Sequence, residues 1–579
     1  MRLPIRPPRP ARLALAGAVL TLAVVGLLAA TRAALPSTVT LSIVGTTDLH
    51  GRLMPVEGRG GLAMFGGYLA NLRAARAADG GAVLLVDSGD TFQGGTESNL
   101  SEGAVVVDAY NALGYTAAAI GNHDFEFGAV DTADALDTPR ADPRGALKAR
   151  AAQAHYPLLA ANLLEDGRPA AWPNVTPSAM VEAAGVRVGL VGIMTYEALS
   201  MTLAANVGGL RTTPLVAAVQ REAEALRARG AQVVVVVSHA GGECTSFEAA
   251  DDLTSCDEWS EIFDLARRLP RGLVDVVMAG HTHAAVAHEV NGIAVAQAYS
   301  VGRAFARVDL TVNRTTGTVA TAHIHLPQEI CGRVDAQGHC AAASSGTPAR
   351  YEGHPVEADA AITQAMAPAL ARVAALRATT FGPVFDGPIE RGAPEAESPL
   401  GNLFADAMRR ATAGADAAIT YGTGPGGLRL GLPGGPATLG GLYDAFPFDN
   451  RVVRRQLTGR DVRQVVANHL RRPRWWARTL GLSGLRVRVA CTAGTPAVDV
   501  TRDTGASIGD DDRLTVVISD FIAGRDAVRQ ALADDATLDT TPLVRDLVTR
   551  WMRTRPGPVE ASEFLDRTEP RWQYDGSCQ

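Results

Sequence analysis

The chain has 579 residues, 47% of them hydrophobic and 20% charged, with a formal net charge of −7 at pH 7. That length predicts more than one domain, and that composition describes a globular protein, not a disordered one. The net acidity gives no electrostatic reason to expect nucleic acid as a partner.

Residues 1–36 read as a targeting segment. Arg2, Arg6, Arg9 and Arg12 precede a charge-free apolar run over residues 13–30, the layout of an export signal. At 1.5 Å per residue the run spans roughly 27 Å, enough to cross a bilayer. Thr31-Arg32-Ala33 matches a cleavage site only loosely, so two fates are open: removal as a signal peptide, or retention as a membrane anchor. Both export the chain to the periplasm, the cell surface or the medium. Six cysteines in an exported chain predict disulfides. Cys244/Cys256 and Cys331/Cys340 are close in sequence within polar stretches, which leaves Cys491 and Cys578 as a C-terminal pair.

Beyond the leader, residues 39–44 read as a strand ending in Thr47-Asp48-Leu49-His50-Gly51. Residues 61–78 carry a helical pattern. Residues 82–86 form a short apolar strand that ends in Asp87-Ser88-Gly89-Asp90. A helix over 105–113 follows, then a strand over 115–120 that runs into Gly121-Asn122-His123-Asp124-Phe125-Glu126. A further strand covers 186–193, and a helix covers 213–229 and stops at Gly230. The β-branched run 233–237 ends in Ser238-His239, and residues 274–278 end in Gly280-His281-Thr282-His283. Strands alternating with helices predict a layered α/β domain.

Asp48, His50, Asp90, Asn122, His239, His281 and His283 all fall just after the C-terminal ends of expected strands, the edge where α/β folds bind ligands. Each residue alone has a plain structural explanation, since a single His is often only hydrogen-bonded and an Asp near Gly often only turns the chain. Seven metal-competent side chains at one edge call for a common cause. Carboxylate, imidazole and neutral amide without thiolate suit Mn, Zn, Fe, Co or Ni rather than a Cys-rich structural zinc. Asp90 is the carboxylate best placed to bridge two ions. Two such ions about 4 Å apart activate a water and hold a phosphoryl group for in-line attack.

These segments, with Gly89-Asp90-Thr91-Phe92-Gln93-Gly94 and Ser238-His239-Ala240-Gly241-Gly242, resemble the successive blocks of the dimetal phosphoesterases, and more narrowly the exported 5′-nucleotidase family. The resemblance implies an N-terminal α/β/β/α metallophosphoesterase sandwich and a smaller α/β C-terminal substrate domain, joined by a linker helix. It implies two divalent ions, expected to be Mn, Zn, Fe or Co. Asp48, His50, Asp90 and His283 would hold one, and Asp90, Asn122, His239 and His281 the other. His123 would stabilise the transferring phosphoryl group or protonate the leaving oxygen, oriented by Asp124 or Glu126. The family often has Asp at the position of Glu126.

After residue 326 the character changes. Residues 331–355 read as a linker, and 358–377 as a bridging helix. The expected division is 37–330, 331–378 and 379–579. Glu397-Ser398-Pro399-Leu400-Gly401-Asn402 resembles the opening helix of the family's C-terminal domain. Gly424-Pro425-Gly426-Gly427-Leu428-Arg429 and Phe446-Pro447-Phe448-Asp449-Asn450 resemble its substrate-facing loops. Gly422-x-Gly424-x-x-Gly427 also matches a dinucleotide fingerprint, but the Gly- and Pro-rich run after it is no helix. Gly426, Gly427, Arg429, Phe448 and Asp526 are the substrate-binding candidates. Two departures bear on specificity. Pro394 stands where the family often has Arg, with Arg391 nearby, and Ala527 and Val528 stand where a second aromatic ring would flank the base. Phe446 and Phe521 are the next candidates for that ring.

The implied activity is release of phosphate from nucleotides by an exported dimetal phosphohydrolase. Its partner is then a small nucleotide or phosphate ester, not nucleic acid, with membrane contact only through the N-terminal segment. A 2′,3′-cyclic phosphodiesterase, a nucleotide-sugar pyrophosphatase and a thiosulfohydrolase use the same scaffold. A non-enzymatic binding protein would have no use for an intact ligand set.

Overall fold

The computed structural model describes residues 37–130, 142–342, 344–393, 396–422, 427–448, 450–470, 479–492, 495–523 and 542–574. In the first domain the elements that position the site are β1 (Thr38–Thr46), α1 (Leu62–Asp79), β2 (Ala82–Asp87), α2 (Ala104–Leu113), β3 (Ala117–Ala119), β4 (Leu158–Leu159) and β5 (Val175–Thr176). They continue with β6 (Ser178–Ala183), β7 (Val186–Met194), α3 (Leu215–Ala228), β8 (Val233–His239), α4 (Glu261–Arg268) and β9 (Val276–Met278). The domain closes with β10 (Ala285–Val290), β11 (Ile293–Ala298), β12 (Ala304–Asn313) and β13 (Val319–Ile324).

Two sheets result. One is ordered β13-β12-β1-β2-β3-β4-β5, the other β10-β11-β9-β8-β7-β6. Strands β1 to β5 run parallel, as do β7, β8, β9 and β11, and antiparallel strands close every edge but that of β5. The valine run of β8 shows why the sheets stack. Side chains alternate along a strand, so Val233, Val235 and Val237 enter the layer between the sheets beside Leu41, Ile43 and Val86. Val234 and Val236 turn outward to meet Leu226, Phe263 and Leu265 of α3 and α4. On the other flank Phe65, Leu69 and Leu72 of α1 and Val106, Tyr110 and Leu113 of α2 cover the first sheet. The result is the expected α/β/β/α sandwich.

The bridging helix α5 (Ala360–Arg377) is capped by Asp359, which accepts from the amides of Ala361 and Ile362. Its Ile362, Met366 and Ala369 join the core of the first domain. The approach is close. A Cβ on Gly67 of α1 would stand 1.9 Å from the carbonyl oxygen of Glu357.

The second domain contains β14 (Thr380–Phe385), α6 (Pro399–Ala411), β15 (Ala417–Tyr421), β16 (Gly435–Thr438), α7 (Leu439–Ala445), β17 (Val452–Thr458), α8 (Gly459–Leu470), β18 (Leu480–Ser483), β19 (Leu485–Thr492), β20 (Thr495–Arg502), β21 (Arg513–Ser519), α9 (Val544–Arg553) and β22 (Trp572–Tyr574). Its central sheet is ordered β17-β21-β15-β18. One face packs on α6 and α9 through Leu403, Phe404, Met408, Leu547 and Met552. The other packs on α8 and a small sheet through Val462, Val466, Val487 and Trp572. Ser398 caps α6 by accepting from the Gly401 amide, with Pro399 in its first turn, as helix starts favour.

Both local disulfides expected from sequence are present, Cys244–Cys256 and Cys331–Cys340. The expected Cys491/Cys578 pair lies outside what is described, as do residues 13–30. Among the described residues no helix is long and apolar enough to cross a membrane.

Candidate metal centre

The two sheets end at a common edge, and the loops leaving β1, β2, β3, β8 and β9 meet there. The first two are zipped together by backbone bonds. The amides of Asp48, His50 and Gly51 donate to the carbonyls of Gly89, Asp90 and Thr91 at 2.9, 2.9 and 3.0 Å. The loop after β9 is drawn in so tightly that a Cβ on Gly280 would sit 2.0 Å from Thr47 Oγ1. Asp48, His50, Asp90, His281 and His283 all have positive φ, between 49° and 77°. Non-glycine residues rarely occupy that region. Such strain persists only where the surroundings over-determine it, and it concentrates at functional sites.

All seven expected ligands converge, in two groups. Asp48, His50 and His283 offer donor atoms within 4.8 Å of one another, and so do Asp90, His239 and His281. Asp90 lies between the groups, with Oδ2 3.2 Å from His239 Nε2 and 3.9 Å from His50 Nε2. Asn122 joins the second group, with Oδ1 3.1 Å from His239 Nε2, while its Nδ2 donates to the Met201 carbonyl at 3.4 Å.

Backbone carbonyls select the tautomers. His50 Nδ1 lies 3.0 Å from the Gln93 carbonyl, and His239 Nδ1 lies 2.8 Å from that of Ser88. A ring nitrogen that donates to a carbonyl leaves the other with its lone pair free for a metal. Those two lone pairs point into the cluster. His50 Nε2 faces His283 Nε2 at 3.0 Å, and His239 Nε2 faces Asn122 Oδ1, Asp90 Oδ2 and His281 Nδ1. Asp48 Oδ1 is buried without a well-aligned hydrogen bond, 3.4 Å from His283 Nε2. Acceptors that converge in this way require a cation or a proton. Burial would push His239 down, but the Asp90 carboxylate overrides it and holds the ring up to about 10, so without a metal a proton takes that place. His50 lacks comparable help. Burial and the charge of His283 lower it to about 3. The donor set therefore fits divalent cations.

His123 stands beside this cluster, its ring centroid 5.0 Å from that of His50. Its Nδ1 is 2.8 Å from Glu126 Oε1, at hydrogen-bond distance but off the ideal angle. Burial would lower the imidazole, yet Glu126 and Asp90 together raise it to about 9. Asp124, the other candidate to orient His123, has its oxygens taken up elsewhere. They accept the amides of Asp90 at 3.2 Å, Thr91 at 2.9 Å, Phe92 at 3.1 Å and Gly121 at 2.8 Å. Asp124 is thus the carboxylate that ties two ligand loops together, and Glu126 is the partner of His123. One residue outside the expected set, Asp87, lies beneath the site and accepts from Thr46, Thr91, Tyr110 and the Gly89 amide. Its position at a strand end before Gly89 was the available signal.

From the second domain, Arg429 and Phe448 come together, the guanidinium 5.2 Å from the ring centroid. Arg429 keeps solvent contact in the cleft. Crowding by protein, with repulsion from Arg52, still lowers it to about 10, and Glu126 opposes that shift. Arg429 therefore lies within electrostatic reach of the His123–Glu126 pair of the first domain. Arg391 donates to the Arg429 carbonyl at 2.7 Å. Gly427 is buried, and the residues after it form no helix. Gly426, Asp526, Pro394, Ala527 and Val528 lie outside the described residues. Phe446 is fully buried against Phe404, Tyr421 and Phe448, which makes it core rather than a pocket wall. Phe521 is half-buried beside Tyr421.

Comparison with known proteins matches this division. The family model described as calcineurin-like phosphoesterase matches residues 41–285, and that described as 5′-nucleotidase, C-terminal domain, matches residues 375–534. Endonuclease YhcR of Bacillus subtilis is 26% identical over 84% of this chain, which spans 37% of that relative. A 5′-nucleotidase of Vibrio cholerae is 26% identical over 46% of this chain and 48% of its own length. Among solved structures, a 5′-nucleotidase precursor from Thermus thermophilus superposes with a TM-score of 0.64 at 23% identity, over 93% of this chain and 100% of the other, a likeness of fold. With both family models in this order along one chain, and a converged ligand set in the first, the chain belongs to the calcineurin-like phosphoesterases that carry a 5′-nucleotidase C-terminal domain.

Proposed function

We propose that the protein is an exported phosphohydrolase that releases phosphate from nucleotides with the help of two divalent ions. The observation that carries this reading is the convergence of seven metal-competent side chains on one edge, with the buried Asp48 Oδ1 lacking an aligned hydrogen bond, beside the His123–Glu126 pair. When bound, the ions supply an activated water and neutralise charge on the phosphoryl group. Asp48, His50, Asp90 and His283 would hold one, and Asp90, Asn122, His239 and His281 the other.

The remaining roles belong to the chain's own groups. Glu126 engages His123 Nδ1, which leaves Nε2 to face the substrate and protonate the leaving oxygen. The raised affinity of His123 for its proton suits an acid, and nearby cations would lower it toward neutrality. Arg429 meets the anionic or polar part of the substrate. Phe448 offers a face to the base, with Gly426, Gly427 and Asp526 as further contacts. We place the domain division at 37–330, 331–378 and 379–579. Two disulfides support an oxidising compartment, and the arginine-flanked leader would deliver the chain there.

The test is a substrate panel with added Mn or Zn: AMP, a 2′,3′-cyclic nucleotide, a nucleotide sugar and a thiosulfonate. Phosphate release from AMP is expected to lead. Sulfate release from the thiosulfonate without phosphate release from AMP would overturn the reading.

A further inference from the structure

Three successive carbonyls at the cleft are gripped from both domains. Arg545, on α9, donates through Nη1 to the carbonyls of Phe446 and Phe448. Between them, the Pro447 carbonyl accepts from Gln93 Nε2 at 3.3 Å and from Asn99 Nδ2 at 2.5 Å, both in the first domain. Gln93 is also the residue whose own carbonyl faces His50 Nδ1. The stretch that presents Phe448 is thus held from behind by its own domain and from the front by the loop that carries a metal ligand.

Arg545 is unusual for a charged residue. It is only 4% exposed, and such burial is rare without strong partners. Its guanidinium lies 4.0 Å from the ring centroid of Tyr443 on α7. The planar fork can stack on a ring and still donate to two carbonyls, and a lysine cannot reproduce that geometry.

Resting on the nucleotide reading above, we propose that Arg545 is a positioning residue that sets the placement of Phe448 and thereby the enzyme's grip on the base. It touches neither substrate nor metal. Its effect belongs to binding of the nucleoside part, not to the chemistry at phosphorus. Because its bonds to the binding stretch go to the backbone of Phe446 and Phe448, its loss should matter for a nucleotide and little for a phosphate ester without a base.

The experiment compares Arg545→Met and Arg545→Lys with the parent on AMP and on ribose 5-phosphate, measuring kcat and KM separately. Arg545 borders a cavity of about 170 Å³ between the domains, so the methionine has room. In Arg545→Met the KM for AMP should rise about tenfold, as expected from losing hydrogen bonds made by a charged group. The kcat should hold within about twofold, and the constants for ribose 5-phosphate should move by less than about threefold. Arg545→Lys should fall between, and it carries the same comparison if the methionine variant does not fold. Equal losses on both substrates, or a fall in kcat at constant KM, would overturn the proposal. Adenosine binding to the metal-free proteins by calorimetry separates this inference from the activity itself. Weaker binding in the variants upholds it even if the parent hydrolyses no ester. Equal binding, or no binding by the parent, overturns it.

Discussion

The candidate metal edge of the first domain and the proposed substrate face of the second are built by different means. At the first, every proposed ligand lies within five residues of a strand end or on the strand itself, and five of the seven are held at positive φ. Buried carboxylates below, Asp87 and Asp124, fix the loops that carry them. The substrate face presents Arg429 and Phe448 on connecting stretches whose anchors come from elsewhere: Arg391 on the Arg429 carbonyl, and Arg545, Gln93 and Asn99 on residues 446–448. Metal ligands must be placed to within tenths of an ångström, which rigid strand ends and stored strain can provide. A base needs only an apolar face and a few donors, and loops held at a few points suffice.

The largest expected effect tests the rigid half. Asp90→Asn removes the charge shared by both ligand groups and should abolish turnover and lower the metal content per chain, while circular dichroism stays native. Near-normal activity in that folded variant would remove Asp90 from its bridging role. His123→Ala should lower kcat by ~10²–10⁴-fold, the usual worth of a general acid, with metal content unchanged. Loss of metal instead would make His123 a ligand.

Glu126→Gln probes the same pair more gently, through pH. The Glu126 carboxylate raises the His123 affinity for its proton, so the protonated acid is present below its folded pKa and is lost as pH rises through it. Without that carboxylate the alkaline limb of the kcat profile should move to lower pH. An unmoved limb would show that Glu126 does not tune His123.

On the substrate face, Phe448→Ala should raise KM for AMP with little change in kcat. Base–aromatic stacking worth ~1–3 kcal/mol corresponds to roughly 5–150-fold. With one ring in place of two, preference among AMP, GMP, UMP and simple aryl phosphates should be small in the parent. A hundredfold preference for one nucleotide would point to a second wall, and Phe521 is the residue to test for it. The smallest effect is expected at the joint, where Arg377 on α5 pairs with Asp444 on α7. Both side chains are about one-third exposed, so Arg377→Ala should cost only ~0.5 kcal/mol, read from denaturant unfolding, and less at 1 M salt.

Sequence alone determined the strands of the first domain and marked the candidate ligands at their ends. Apolar runs that end in Asp, His or Asn announce both the strand and the residue it delivers, because strand, turn and ligand are contiguous in the chain. Local cysteine pairing was legible for the same reason at Cys244–Cys256 and Cys331–Cys340. Tertiary structure decided what depends on long-range contact. Asp124 and Glu126 are near neighbours of His123 in sequence, yet only the folded loops show that amides from residues 90–92 and 121 claim Asp124 and leave Glu126 to the ring. Phe446 and Phe448 are two residues apart and both buried, at 0% and 6% exposure, yet only Phe448 lies beside Arg429 while Phe446 packs on Phe404 and Tyr421. Arg545 is about a hundred residues from the carbonyls it holds. No local pattern encodes such pairings, because a backbone carbonyl leaves no mark in the sequence of the residue that bears it.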